Sequence, residues 1–104
     1  MKANRCQCFE PGARVEWTDQ DSIGVTADYW DITAMRCAGC GTPWLRAFLE
    51  IEAFSRSGRH YRAPVTDPGL SGITPDAALA LIQAAPFRIA GGSFFDGVER
   101  ALKR

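Results

Sequence analysis

Cysteine is where this sequence concentrates its capacity for chemistry. Four are present, Cys6 and Cys8 spaced C-x-C and Cys37 and Cys40 spaced C-x-x-C, with none left over. Thiolates are metal ligands, and four of them fill the tetrahedral shell of one Zn²⁺ without leaving a position for water or substrate, which makes such a site structural and not catalytic. In Cys37-Ala38-Gly39-Cys40-Gly41 the small residues allow a tight turn whose amides can point at sulfur, and glycine supplies a positive φ where the turn needs one. Cys6-Gln7-Cys8 is shorter by one residue and is followed by the turn signal Pro11-Gly12.

The same four residues support other chemistries. Two disulfides would consume them, but the chain starts Met-Lys-Ala-Asn with no apolar signal segment, so a reducing cytoplasm is expected and disulfides are not. A mononuclear iron or iron–sulfur site uses four-cysteine ligation too. A redox pair would need only the C-x-x-C, leaving Cys6 and Cys8 without a role. Structural Zn²⁺ is the expectation, with an iron site or a thiol redox pair as the alternatives.

For the two pairs to meet, the 28 residues from 9 to 36 must fold back on themselves. Residues 13 to 17 alternate as a half-buried strand does, Thr18 to Gly24 reads as a polar loop, and Val25 to Arg36 is rich in β-branched and aromatic residues. A hairpin with one cysteine pair before it and one after brings both to the same end. With those residues in place, 5–41 resembles the zinc-ribbon group, departing from it at Cys6 and Cys8, where C-x-x-C is usual. That resemblance implies a metal-stapled fold element; ribbons bind nucleic acid, dock proteins or serve as structural inserts.

The remainder completes an α+β domain spanning 1–104. Residues 44 to 54 suit a helix started by Thr42 and Pro43, or a strand with Leu45, Ala47, Leu49 and Ile51 on one face; the turn at 55–58 and the extended run His60 to Val65 favour a second hairpin over 42–65. Such a hairpin would set Glu50 and Glu52 opposite Arg59 and Arg62. Thr74-Pro75-Asp76 opens a helix over Pro75 to Ala84, closed by Pro86, within a helical C-terminal part at 74–104. Phe87 to Ile89 reads as a further short strand, and Ser93 caps a last helix with Phe94, Phe95, Val98 and Leu102 on one stripe. The expected fold is thus an antiparallel sheet of two hairpins, the four-cysteine site at one end, and one or two C-terminal helices.

Charge narrows the function classes. Lys+Arg and Asp+Glu are both 12, so the net charge is zero, without the basic excess of a typical nucleic-acid binder, and no stretch is apolar enough to span a membrane. Glu16, Asp19, Asp21, Asp28 and Asp31 fall in a segment free of Lys and Arg, while Arg56, Arg59 and Arg62 surround His60. The plain expectation is that these two stretches pair with each other. No catalytic set is evident: there is one histidine, and Gly91-Gly92-Ser93 is too short for a phosphate cradle. The functional expectation is a cytoplasmic zinc-binding protein-interaction module, an adaptor, accessory subunit or inhibitor. The alternative is nucleic-acid binding through Arg56, Arg59, His60, Tyr61 and Arg62, with Tyr61 stacking on a base. Trp30, beside Asp28 and Asp31, belongs to a recognition surface or is covered by Phe94 and Phe95.

Overall fold

The computed structural model describes residues 6–51, 55–66 and 72–103. Six strands, β1 (Trp17–Val25), β2 (Asp31–Cys37), β3 (Pro43–Leu49), β4 (Arg59–Pro64), β5 (Phe87–Gly91) and β6 (Arg100–Lys103), form one antiparallel sheet in sequence order. Among the described residues one α-helix, α1 (Pro75–Ala84), lies between β4 and β5 in the chain and packs over β1 to β4. The architecture is α+β, and no helix among the described residues is long and apolar enough to cross a membrane.

Strand alternation sorts the core into two layers. Ile32, Leu45, Ala47 and Ala63 point to the helical side, where they meet Ala78 and Ile82 of α1. Cys8, Met35, Cys37, Trp44 and Ile89 form a second cluster, against which Phe9, Val15, Trp17 and Phe87 pack. The N-terminal segment does there what α1 does for the other cluster. Residues 44 to 49 are therefore strand, as the downstream hairpin implies, with Trp44 opposite Met35 on one side and Pro64 on the other.

The helix start follows its sequence closely: the Thr74 side chain accepts from Ala77 N at 3.1 Å, Pro75 sits in the first turn and Asp76 lies near the positive end of the dipole. Other segments differ from expectation. Residues 13 to 16 are not strand, and Thr18 to Gly24, expected as a loop, is most of β1. An edge strand has only one neighbour and can keep its side chains in water, so polar composition does not exclude it; its ladder shifts register between Thr18 and Asp21 and again between Ser22 and Gly24. The reversal falls instead at Thr26–Trp30, closed by Tyr29 N to Thr26 O and Thr26 N to Trp30 O, both 2.9 Å. The expected last helix is a 3-10 turn, Ser93–Phe95, followed by β6. Left-handed backbone at Asp96 (φ 60°) and Gly97 (φ 76°) cannot continue a right-handed helix, and Phe94 and Val98 are exposed, so the anticipated stripe does not form.

The β4–β5 junction leans on Gly92. Its φ of 109° with ψ of 176° lies in a region open essentially to glycine alone, and a Cβ there would sit 2.5 Å from Gly58 O. Replacing Gly92 with Ala is expected to lower unfolding free energy by about 2 kcal/mol or more in urea titrations. A loss below about 0.5 kcal/mol would mean the junction relaxes freely.

Candidate metal centre

The hairpin β1–β2 carries the two cysteine pairs to one end of the sheet. Cys6 and Cys8 flank and enter a short 3-10 turn, Gln7–Phe9, held by Phe9 N to Cys6 O at 3.0 Å and Glu10 N to Gln7 O at 2.8 Å. Phe9 anchors that turn, its ring 5.0 Å from Trp44 and 6.0 Å from Phe87. Cys37 ends β2 and Cys40 follows in the turn to β3. This turn is closed by Gly41 N to Cys37 O at 2.9 Å and Cys37 N to Thr42 O at 3.0 Å, with Gly41 at φ 80°. Arg36 Nη1 donates to Gly41 O at 2.7 Å, and Ala38 N to Glu16 O at 3.0 Å, fixing the turn from both sides.

All four sulfurs lie within 4.8 Å of one another. Cys6 Sγ is 3.6 Å from Cys37 Sγ, and Cys8 Sγ is 3.7 Å from Cys40 Sγ. A tetrahedral ion with bonds of about 2.3 Å separates its sulfurs by about 3.8 Å, so these distances are the edges that a mononuclear tetrathiolate site requires. A polynuclear iron–sulfur cluster places its own irons and sulfides between the thiolates and needs them farther apart. The four cysteines are free thiols that can hold a metal ion, Cys8 and Cys37 buried and Cys40 at the surface.

Protonation is uneven across the set. The Thr42 hydroxyl, 3.1 Å from Cys40 Sγ, and the Thr42 amide donate to the Cys40 thiolate and hold its pKa down to about 6. Burial, then the thiols of Cys40, Cys37 and Cys6, push Cys8 above its ordinary range. At Cys6 the Cys8 amide pulls downward, but Cys37, burial and Cys40 together raise it. Crowded thiolates repel, and only a cation between them lets all four ionise.

A second polar cluster braces the site. Arg62 on β4 is buried, yet donates through Nη2 to the Cys8 carbonyl at 3.0 Å and through Nη1 to Glu99 Oε2 at 2.8 Å. Its guanidinium lies 5.5 Å from the Trp17 ring centre and 5.3 Å from that of Trp44. Glu99 also meets His60 Nε2 at 3.0 Å and accepts from Gly12 N at 2.7 Å. Burial works to raise the Glu99 carboxyl, but the Gly12 amide, His60 and Arg62 outweigh it and hold the pKa below the usual range. Burial lowers His60, with Glu99 opposing. Arg62 thus ties the loop carrying Cys6 and Cys8 to the β5–β6 hairpin.

Other residues singled out in the sequence are dispersed among local contacts. Tyr61 packs between Trp30 (5.8 Å) and Phe95 (6.2 Å), so the ring lying against Trp30 is that of Tyr61 on β4, with Phe95 beyond it, while Tyr29 is 79% exposed. Arg59 lies over the Phe94 ring, 3.9 Å from its centre. Arg56 pairs with Asp96, not with the acidic stretch, which supplies a carboxylate only to Arg36 through Asp19 at 3.7 Å among the described ion pairs. Arg62 faces Arg46 across the β3–β4 ladder, and Arg59 faces Leu49. Glu52 lies outside the described residues. Sequence reasoning missed Glu99, Gly12 and Thr42. Thr42 was legible as a hydroxyl two residues from Cys40; Glu99 carried no local signal. No protein-family model, curated protein or solved structure matches the chain.

Metal loading at pH 7 should release at least the protons of Cys6 and Cys8, since both pKa values are raised from an ordinary 9.0, whereas Cys40 is already ionised. Apparent affinity then rises with pH through the neutral range, by about two or more log units per pH unit. Proton release during Zn²⁺ titration in weak buffer measures this, and release of fewer than one proton per ion would contradict it. Separately, Arg62→Met should cost about 2–4 kcal/mol, because Glu99 is left partly buried without its cation. Glu99→Gln in the same chain should recover part of that loss. Strict additivity of the two changes in chemical denaturation would show that the pair is not coupled.

Proposed function

We propose that Cys6, Cys8, Cys37 and Cys40 hold one Zn²⁺ as a closed, structural, zinc-ribbon-like site, and that the protein is an interaction module whose partner is another protein. The carrying observation is the convergence of four sulfurs within 4.8 Å, from two separate turns. A filled tetrathiolate shell offers no coordination position for a substrate, so its role is to fix the sheet. Thiolates persist as ligands where thiols stay reduced, which makes the cytoplasm the compartment this reading entails.

The surface assigned to the partner is the tip and outer edge of the β1–β2 hairpin. Tyr29, 79% exposed, is held at φ 71°, a left-handed conformation costly for a bulky aromatic, and Val25 beside it is 57% exposed. Asp28 and Asp31 flank them, exposed, and Asp19 and Asp21 continue the acidic edge down β1, so the complementary partner is a protein surface carrying basic residues beside an apolar centre. Nucleic acid is the weaker reading. Tyr61 is packed between two rings, Arg62 is buried, and Arg56, Arg59 and His60 already have partners, which leaves little at this hairpin to stack on a base or hold phosphate.

A photo-crosslinking residue placed at 29, and in a second preparation at 56, separates the two. Capture of a discrete protein from 29 and not from 56, lost when Asp28 and Asp31 become Asn, is the expected result. Equal capture from both positions, or salt-sensitive binding of mixed DNA or RNA abolished by changing Arg56 and Arg59 to Ala, would reject the reading.

A further inference from the structure

A ten-residue helix is about 15 Å long, whereas six strands span roughly 24 Å, so one helix cannot roof this sheet. α1 packs over β1 to β4, and beside it, toward β5 and β6, lies a cleft of about 360 Å³. Its walls are Trp30, Tyr61 and Phe95, three half-buried rings in a row, with Leu79 of α1 and Leu102 of β6. None of this belongs to the metal centre, and of the hairpin tip only Trp30, whose ring packs on Tyr61, takes part.

One charged side chain lines the cleft. Arg88 stands opposite Leu102 in the β5–β6 ladder, on the helical side of the sheet. Among the described residues it has no carboxylate partner; its hydrogen bond runs from Nη1 to the Gln83 carbonyl at 3.1 Å. A guanidinium has five donors in a planar fork that matches a carboxylate in bidentate fashion. The volume falls in the range of small-molecule pockets, about 300–1,000 Å³, and the plan is theirs: mostly apolar walls with one polar group that sets orientation.

We infer that this cleft is a binding site for a small aromatic carboxylate, its ring system lying against Trp30, Tyr61 and Phe95 and its carboxylate on Arg88. Aromatic walls favour a flat ligand over a branched aliphatic one, through offset and edge-to-face contacts. The single fork favours a carboxylate over a neutral ligand of the same shape.

The test uses the metal-loaded 104-residue chain and two probes, 2-naphthoate and the uncharged 2-naphthamide, titrated by calorimetry and by NMR. Saturable one-to-one binding of 2-naphthoate is expected, with shifts centred on the Trp30 indole and the methyls of Leu79 and Leu102, and with the amide at least tenfold weaker. Arg88→Gln should remove the preference for the carboxylate, and Arg88→Lys should keep part of it; both are half-exposed changes whose folding is checked by melting curves. Absence of saturable binding in the millimolar range, equal affinities for the two probes, or shifts centred away from the cleft would each overturn the assignment.

Discussion

Four sulfurs held within 4.8 Å of one another cannot all carry charge without a cation among them, and the rest of the fold is arranged around that constraint. At such separations the repulsion between thiolates is substantial in any partly desolvated setting. The protein resolves part of it by protonation, with Cys6 and Cys8 raised and Cys40 lowered by Thr42. A metal ion held by the four sulfurs would resolve the remainder. Because the ligands come from two turns separated by a whole hairpin, binding that ion also closes the chain around β1 and β2, so metal affinity and folding free energy are largely one quantity.

Arg62 extends the constraint across the sheet. A buried guanidinium is expensive unless its donors and charge are met; here Nη1 is met by Glu99 and Nη2 by the Cys8 carbonyl, with two indole faces beside the group, while Nε has no hydrogen-bond partner. The consequence is mechanical: the loop bearing the first cysteine pair, the central strand β4 and the β5–β6 hairpin share one hydrogen-bonded cluster. The face of the sheet that α1 does not cover is thereby closed at one end by Phe9, Trp17 and Trp44 and braced by a charge network beside them. The helical face is built more simply, by aliphatic packing of Ala78 and Ile82 on β2, β3 and β4.

Much of this was legible in the sequence where one physical signal dominated. Cysteine count and spacing pointed to a shared site, alternation with a following turn marked 44–54 as strand, of which β3 takes up Pro43–Leu49, and Thr74-Pro75-Asp76 set the helix start. The signal failed where composition and environment diverge. β1 reads as a loop because an edge strand tolerates polar side chains, and β6 reads as a helix because Phe94, Phe95, Val98 and Leu102 keep a helical spacing that left-handed backbone at 96–97 interrupts. Contacts of long sequence separation had no signal at all: Glu99 reaches Arg62 across 37 residues and Gly12 across 87. Nothing within a short window distinguishes that glutamate from a solvated one.

What the four sulfurs hold decides whether the sheet is metal-stapled. Zinc K-edge X-ray absorption on purified protein, with metal content measured on the same sample, reads the ligand shell directly. One zinc per chain with four sulfurs at about 2.3 Å and no nitrogen or oxygen neighbour is the predicted result. A shell containing oxygen or nitrogen, or protein that folds and melts identically with no stoichiometric metal, would contradict it.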